Sequence, residues 1–158
     1  MGPVNTVAQE EVAALALVVE EISEYVDTLQ IYKAEITLTS EEILNIFSSP
    51  KLAIASPGAG KAISIISGSM SLTFNSVAYS GNVIISLITD TANMYQGTFY
   101  TLNSTVSRWS RFNNVPGINA TDTQLIADKA LYIKNLVGNP SAGNSGGKIY
   151  ITYEIIDL

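Results

Sequence analysis

The chain has 158 residues, 47% of them hydrophobic, a net charge of −6, and neither cysteine nor histidine. This length and composition suit one domain with its own core plus a smaller appendage. The missing residue types exclude disulfides, thiol nucleophiles, histidine bases and the usual zinc sites. Any catalysis would have to rest on carboxylates, lysines or hydroxyls, and we expect no metal and no cofactor.

The charge is divided unevenly along the chain. Six of the fourteen acidic residues precede the first basic residue, Lys33, whereas eight acidic and eight basic residues follow Ile31. A body without net charge offers no basic surface for nucleic acid. The longest apolar run, 12–19, is far shorter than the roughly 20 residues that cross a bilayer, and no basic segment precedes it. We therefore expect a protein made in a reducing cytoplasm, with no nucleic-acid partner and no membrane insertion.

The first thirty residues contain apolar side chains at alternating spacings of three and four. This heptad seam is typical of a coiled coil and predicts a helix from Thr6 to about Gln30. The predicted oligomer interface consists of Val12, Leu15, Val19, Ile22, Val26 and Leu29. The alternative is an amphipathic helix that packs on its own domain. Against it, no glycine or proline lies between Pro3 and Pro50 to make the turn.

The middle of this predicted helix is apolar on nearly every side. Beside the seam lie Ala13, Ala14, Ala16, Leu17 and Val18. A two-stranded coil would leave these side chains in water, although valine at a with leucine at d usually favours two strands. The wide apolar surface is our reason from the residues for predicting a homotrimer.

The rest of the chain, residues 31–158, has the pattern of a second domain rich in strands. Alternation begins at Ile31, and Thr39 to Glu42 form a capping box that predicts one short helix ending near Ser48. Further strands are predicted at 51–55, 62–67, 70–79, 82–89, 97–106, within 124–137 and at 147–156. Glycine-rich and asparagine-rich turns are predicted between these strands, one of them at Gly68. We predict an antiparallel β-sandwich, jelly-roll-like, whose last strand is buried on both faces.

The segment Pro57 to Lys61 has some features of a phosphate-binding loop. The motif also needs a glycine at Ala55 and a hydroxyl residue at Ala62, and it must open a helix, whereas a strand pattern follows here. A hairpin turn is the favoured interpretation. The carboxylates of the body lie beside turns with no nucleophile motif nearby, so a hydrolase is only a third hypothesis.

An aromatic and basic cluster is the part of the body most like a ligand site. Its candidate contacts are Tyr100, Arg108, Trp109 and Arg111. Aromatic faces and guanidinium groups can stack on sugars or pair with acidic groups. The favoured alternative is that the aromatic residues are in the core and the arginines cap a sheet edge or bridge subunits.

Three stretches of the body resemble a known group of proteins: 36–44 (ITLTSEEIL), 57–63 (PGAGKAI) and 146–156 (GGKIYITYEII). They resemble small virion proteins of tailed bacteriophages, and the heptads that precede them are similar to head-fibre or capsid-decoration proteins, including those of crAss-like phages. Between Met70 and Asn135 the chain matches nothing in that group.

The resemblance implies a non-enzymatic structural protein of the virion, made in the host cytoplasm. It implies that residues 1–30 anchor the protein to the capsid or another virion protein, with Pro3, Val4 and Val7 as the anchor, and also assemble the oligomer. It supports the trimer and does not separate a head location from a tail location. The alternative function is a receptor- or glycan-binding module of a tail-associated fibre.

Overall fold

The computed structural model describes residues 6–28, 30–81, 84–89, 94–100, 102–111 and 127–158. The chain divides into two compact units, Met1–Gln30 and Ile31–Leu158. It is mainly β, with 48% strand and 17% helix. The prediction of a mainly β protein with antiparallel sheets is confirmed.

The first unit contains one helix, α1, at Thr6–Thr28. Every side chain described on it, from Glu10 to Ser23, is exposed. The predicted helix is therefore confirmed, with its end two residues earlier than expected. Among the described helices, none is long and apolar enough to span a membrane.

The second unit contains ten strands and one short helix in the described residues. In chain order these elements are β1 (Ile31–Leu38), α2 (Ser40–Leu44), β2 (Lys51–Ile54), β3 (Lys61–Thr73), β4 (Ser80–Gly81), β5 (Ile84–Thr89), β6 (Met94–Tyr100), β7 (Arg108–Arg111), β8 (Leu131–Lys134), β9 (Pro140–Ser141) and β10 (Gly146–Asp157).

The strands form two four-stranded antiparallel sheets and a small pair. The order in the first sheet is β1-β10-β3-β7, and in the second it is β2-β8-β5-β6. Strands β4 and β9 pair with each other. The long strands β3 and β10 run side by side over twelve paired positions. Because β10 also pairs with β1, it is an interior strand of the first sheet.

Side chains from both sheets share one hydrophobic core. The first sheet contributes Ile36, Leu38, Ile63, Met70, Leu72, Ile149 and Ile151, and the second contributes Ile54, Ile85, Leu87, Leu131 and Ile133. Alternate residues of a strand point to opposite faces. The inward positions of β1 and β10 are therefore in register, with Ile36 opposite Ile149.

The capping box at the start of α2 is confirmed. The hydroxyl of Thr39 accepts a hydrogen bond from the backbone N–H of Glu42 at 3.2 Å, and the Glu42 carboxylate accepts one from the Thr39 N–H at 2.8 Å. The ammonium of Lys51 pairs with the same carboxylate. The Lys51 contact and the Thr39 N–H hold the pKa of Glu42 below its ordinary value.

Two predicted turns are wrong. Gly68 lies inside β3, opposite Ile151, and the strand continues through it because its pairing with β10 continues on both sides. The segment 57–60 is not a hairpin, because β2 and β3 belong to different sheets and the chain crosses from one to the other. Gly58 and Gly60 have positive φ in this crossing, at 100° and 72°.

Several other predictions for the strands need correction. The strand predicted at 97–106 ends at Tyr100, and the edge strand β7 was not predicted. The last strand is not buried on both faces: Ile149 and Ile151 are buried, whereas Tyr150 between them is half-buried and Lys148 before them is exposed. One face of the first sheet is therefore open to solvent.

Candidate functional site

The seam of α1 is the first candidate site, because its apolar side chains are in water. Val12 and Leu15 are each 70% exposed, Val19 is 60% exposed and Ile22 is 57% exposed. Large apolar patches on a soluble protein usually mark an interaction surface. Leu17 and Val18 are also exposed, so the apolar surface is wider than the seam alone.

The remaining predicted residues of this unit lie outside what the structure describes. They are the side chains of Val7 and Val26 and the whole of Pro3, Val4 and Leu29. The described part of the predicted interface is therefore the stretch from Val12 to Ile22, which spans about 15 Å along a helix.

The second candidate site is an aromatic pair on the open face of the first sheet. Trp109, in the edge strand β7, is 60% exposed. Its ring stacks with that of Tyr150 in β10, with centroids 5.5 Å apart and an angle of 23° between the planes. The interpretation of Trp109 as a core aromatic is therefore wrong.

Strand β3 separates these two residues and explains how their rings meet. The register places Trp109 opposite Ser71, and Tyr150 opposite Ser69. Two strand spacings separate β7 from β10 by about 10 Å. The rings can close this distance because the serine side chains beneath them are small.

The same register places charged side chains beside the rings. Arg111 is opposite Ser69, so it lies on the same face as Trp109 two residues earlier. Lys148 forms an ion pair with Glu35 of β1. The hydrogen bond and the charge of Glu35 raise the pKa of Lys148 above its ordinary value. We call the surface formed by Trp109, Tyr150, Ser69, Ser71 and Arg111 the aromatic face.

The arginines of the predicted cluster are exposed at the sheet edge. Within the described part of the chain, no carboxylate pairs with Arg108 or Arg111. Arg108 is opposite Leu72 at the start of β7. Because it is directly next to Trp109 in the strand, it lies on the opposite face from Trp109 and Arg111. Tyr100 is in β6 of the second sheet, and its side chain lies outside the described residues.

Sequence reasoning missed the partners of Trp109. Tyr150 lies in the last strand, and a single sequence does not specify which strands lie next to it. The available signal was the alternation in β3, where Ser67, Ser69 and Ser71 interleave with the apolar positions. That pattern indicates one open polar face.

Two other polar clusters among the described residues have structural roles. Glu41, Glu42 and Lys51 line a shallow cavity beside α2, where the capping box and an ion pair occupy the Glu42 carboxylate. Lys61, the lysine of the loop at 57–61, lies 3.6 Å from the carboxylate of Asp157 and begins a strand. In the described ranges, no three acidic side chains converge as metal ligands.

Comparisons with known proteins add no identification. No family model matches the chain, and no curated protein or solved structure is significantly similar to it. The resemblance to phage virion proteins therefore depends on the three stretches in the body and the heptads before them.

Proposed function

We propose that the protein is a non-enzymatic structural component of a phage virion, a head-fibre or capsid-decoration protein that self-associates through α1 and displays the body of residues 31–158. The observation that supports self-association most directly is the exposure of the seam residues Val12, Leu15, Val19 and Ile22. A helix with this surface needs a partner, and other copies of the same helix fit the heptad spacing.

The magnitude of the effect favours association. Full burial of one valine, leucine or isoleucine side chain stabilises by about 1.5–3 kcal/mol. The four described seam residues together therefore provide several kcal/mol for each helix, before the entropic cost of association. Acidic side chains such as Glu20 and Glu21 lie at positions b and c, outside the seam, so their repulsion does not act across its centre.

A parallel trimeric coiled coil is the proposed form of this association. Three helices bury a wider surface than two, and Val18, at position g beside the seam, extends the exposed apolar surface beyond positions a and d. For the body we propose a β-sandwich of jelly-roll type. Two antiparallel sheets that share one hydrophobic core support that classification.

The location on a virion follows from the resemblance. In this proposal Pro3, Val4 and Val7 attach the chain to a capsid protein or another virion protein. Phage particles that lack the protein provide the assay, with binding followed by co-sedimentation. A chain without residues 1–11 should keep its oligomeric mass and fail to bind the particles. Equal binding of the truncated chain would contradict the proposed attachment.

Two leucines on α1 give a matched test of the seam. Leu15 is at position d, whereas Leu17 is at position f on the opposite side of the helix, and both are exposed in the single chain. Leu15→Lys should reduce the mass measured by light scattering to that of one chain. Leu17→Lys should leave the oligomer intact. If the two substitutions have the same effect, the seam is not the interface.

The second candidate function is a receptor- or glycan-binding module. The exposed Trp109 stacked with Tyr150 favours it, because a large aromatic side chain in water is a common anchor for a ligand.

A further inference from the structure

We infer that the aromatic face binds an acidic saccharide, with Trp109 and Tyr150 packing against a sugar ring and Arg111 binding its carboxylate. The inference does not require self-association of α1, and it assigns one ligand class to the aromatic face.

The aromatic pair supplies the apolar part of this site. Trp109 is the only tryptophan of the chain, and it keeps 60% of its surface exposed although it touches Tyr150. A sugar ring has one face of C–H groups, which matches the negative face of an aromatic ring. Such a contact would remove apolar area from water without requiring the core to change.

The strands beneath the rings supply the polar part. Ser67, Ser69 and Ser71 of β3 alternate along the open face, about 7 Å apart, and Thr152 of β10 lies opposite Ser67. Neutral hydroxyls can both donate and accept hydrogen bonds, as the hydroxyls of a sugar require. Permanent protein interfaces are more hydrophobic than this. The combination of rings and hydroxyls therefore favours a saccharide over a second copy of the chain.

The charge of the face selects an acidic sugar. Glu35 already pairs with Lys148. Arg111 has no carboxylate partner among the described residues, and it is in register with Ser69, on the face that Trp109 and Tyr150 share. The planar guanidinium group matches a carboxylate with two parallel hydrogen bonds. A uronic acid or a sialic acid would provide that carboxylate beside a ring that stacks.

Tryptophan fluorescence measures this binding directly, because Trp109 is the only tryptophan. The full-length chain is titrated with tetramers of galacturonic acid, mannuronic acid and hyaluronan, and with sialyllactose. The methyl ester of the galacturonic acid tetramer and lactose serve as uncharged counterparts. We expect at least one acidic probe to change the emission and to bind about tenfold more tightly than its neutral counterpart.

Three variants show which residues are responsible for the binding. The affinity of each for the acidic probe that binds is measured by calorimetry. Trp109→Ala should weaken binding by about tenfold or more, as expected for an aromatic anchor. Arg111→Gln should remove the preference for the acidic probe over the neutral one. Phe47→Ala is the matched control, since Phe47 is a partly exposed aromatic residue outside this face whose ring contacts Lys134. It should bind as the wild type does.

Three outcomes would overturn the inference. They are no binding of any acidic probe at millimolar concentration, undiminished binding by Trp109→Ala, and a change in the oligomeric mass caused by Trp109→Ala. The last outcome would identify the aromatic face as a contact between copies of the chain. None of the three depends on the result of Leu15→Lys, so this inference and the proposed association can fail separately.

Discussion

Tyr79 connects several loops of the body, and removing its hydroxyl should destabilise the fold in a way that depends on pH. The side chain is buried, its hydroxyl donates to the carbonyl of Ser145, and its backbone N–H donates to the carbonyl of Leu102 at 3.3 Å. Tyr79→Phe would leave the buried Ser145 carbonyl without this donor. We expect a loss of about 1–3 kcal/mol in the free energy of unfolding near neutral pH.

The pH dependence of the stability makes the test specific to the buried phenol of Tyr79. Burial raises the pKa of Tyr79 from 10.0 to about 12. The folded protein therefore keeps a proton that the unfolded chain loses, and the stability from Tyr79 is complete below pH 10 and is lost as the pH rises towards 12. Halfway through this range the loss is about 1.4 kcal/mol, one pKa unit of difference. Phenylalanine has no such titration.

The assay is urea denaturation of the wild type and of Tyr79→Phe at about pH 8 and about pH 11, at equal protein concentration. Other titrating groups are the same in both proteins, so they cancel in the difference. The destabilisation caused by Tyr79→Phe should be smaller at the higher pH by about 1.4 kcal/mol. An equal difference at both pH values would refute the argument that the buried phenol stays protonated.

Further substitutions test the loops and the cap. Gly143→Ala should unfold or severely destabilise the body, because its Cβ would lie 2.2 Å from the ring of Tyr79. Gly58→Ala, also at positive φ but with open space around it, should cost only about 1–2 kcal/mol, and both are measured by thermal melting. Glu42→Gln should flatten the loss of stability on acidification below pH 4.5. The lowered pKa of Glu42 means that its contribution is present above that pH and is lost as the pH falls through the folded-state pKa. Urea melts of the wild type and of Glu42→Gln over this pH range measure the difference.

Local patterns predicted the elements whose structure depends on neighbouring residues. The period of two beginning at Ile31 predicted β1, and the capping box from Thr39 to Glu42 predicted α2. In each case the information lies within a few residues of the chain.

Pairing between distant strands explains the features that were missed. Gly68 appeared to be a turn because glycine is common in turns, but β10 pairs with the chain on both sides of it. Trp109 appeared to belong to the core because tryptophan is large and apolar, whereas its exposure depends on β7 being an edge strand beside Ser69 and Ser71. Neither arrangement can be deduced from the residues next to it.

The most direct test of the central claim is the mass of the full-length protein in solution, measured by sedimentation equilibrium over a range of concentrations. The association of α1 predicts a stable oligomer, and the width of its apolar surface predicts three chains. A stable dimer would contradict the trimer and leave association by the seam intact. A single chain at every concentration would contradict the proposed function, since the exposed side chains from Val12 to Ile22 would then have no partner.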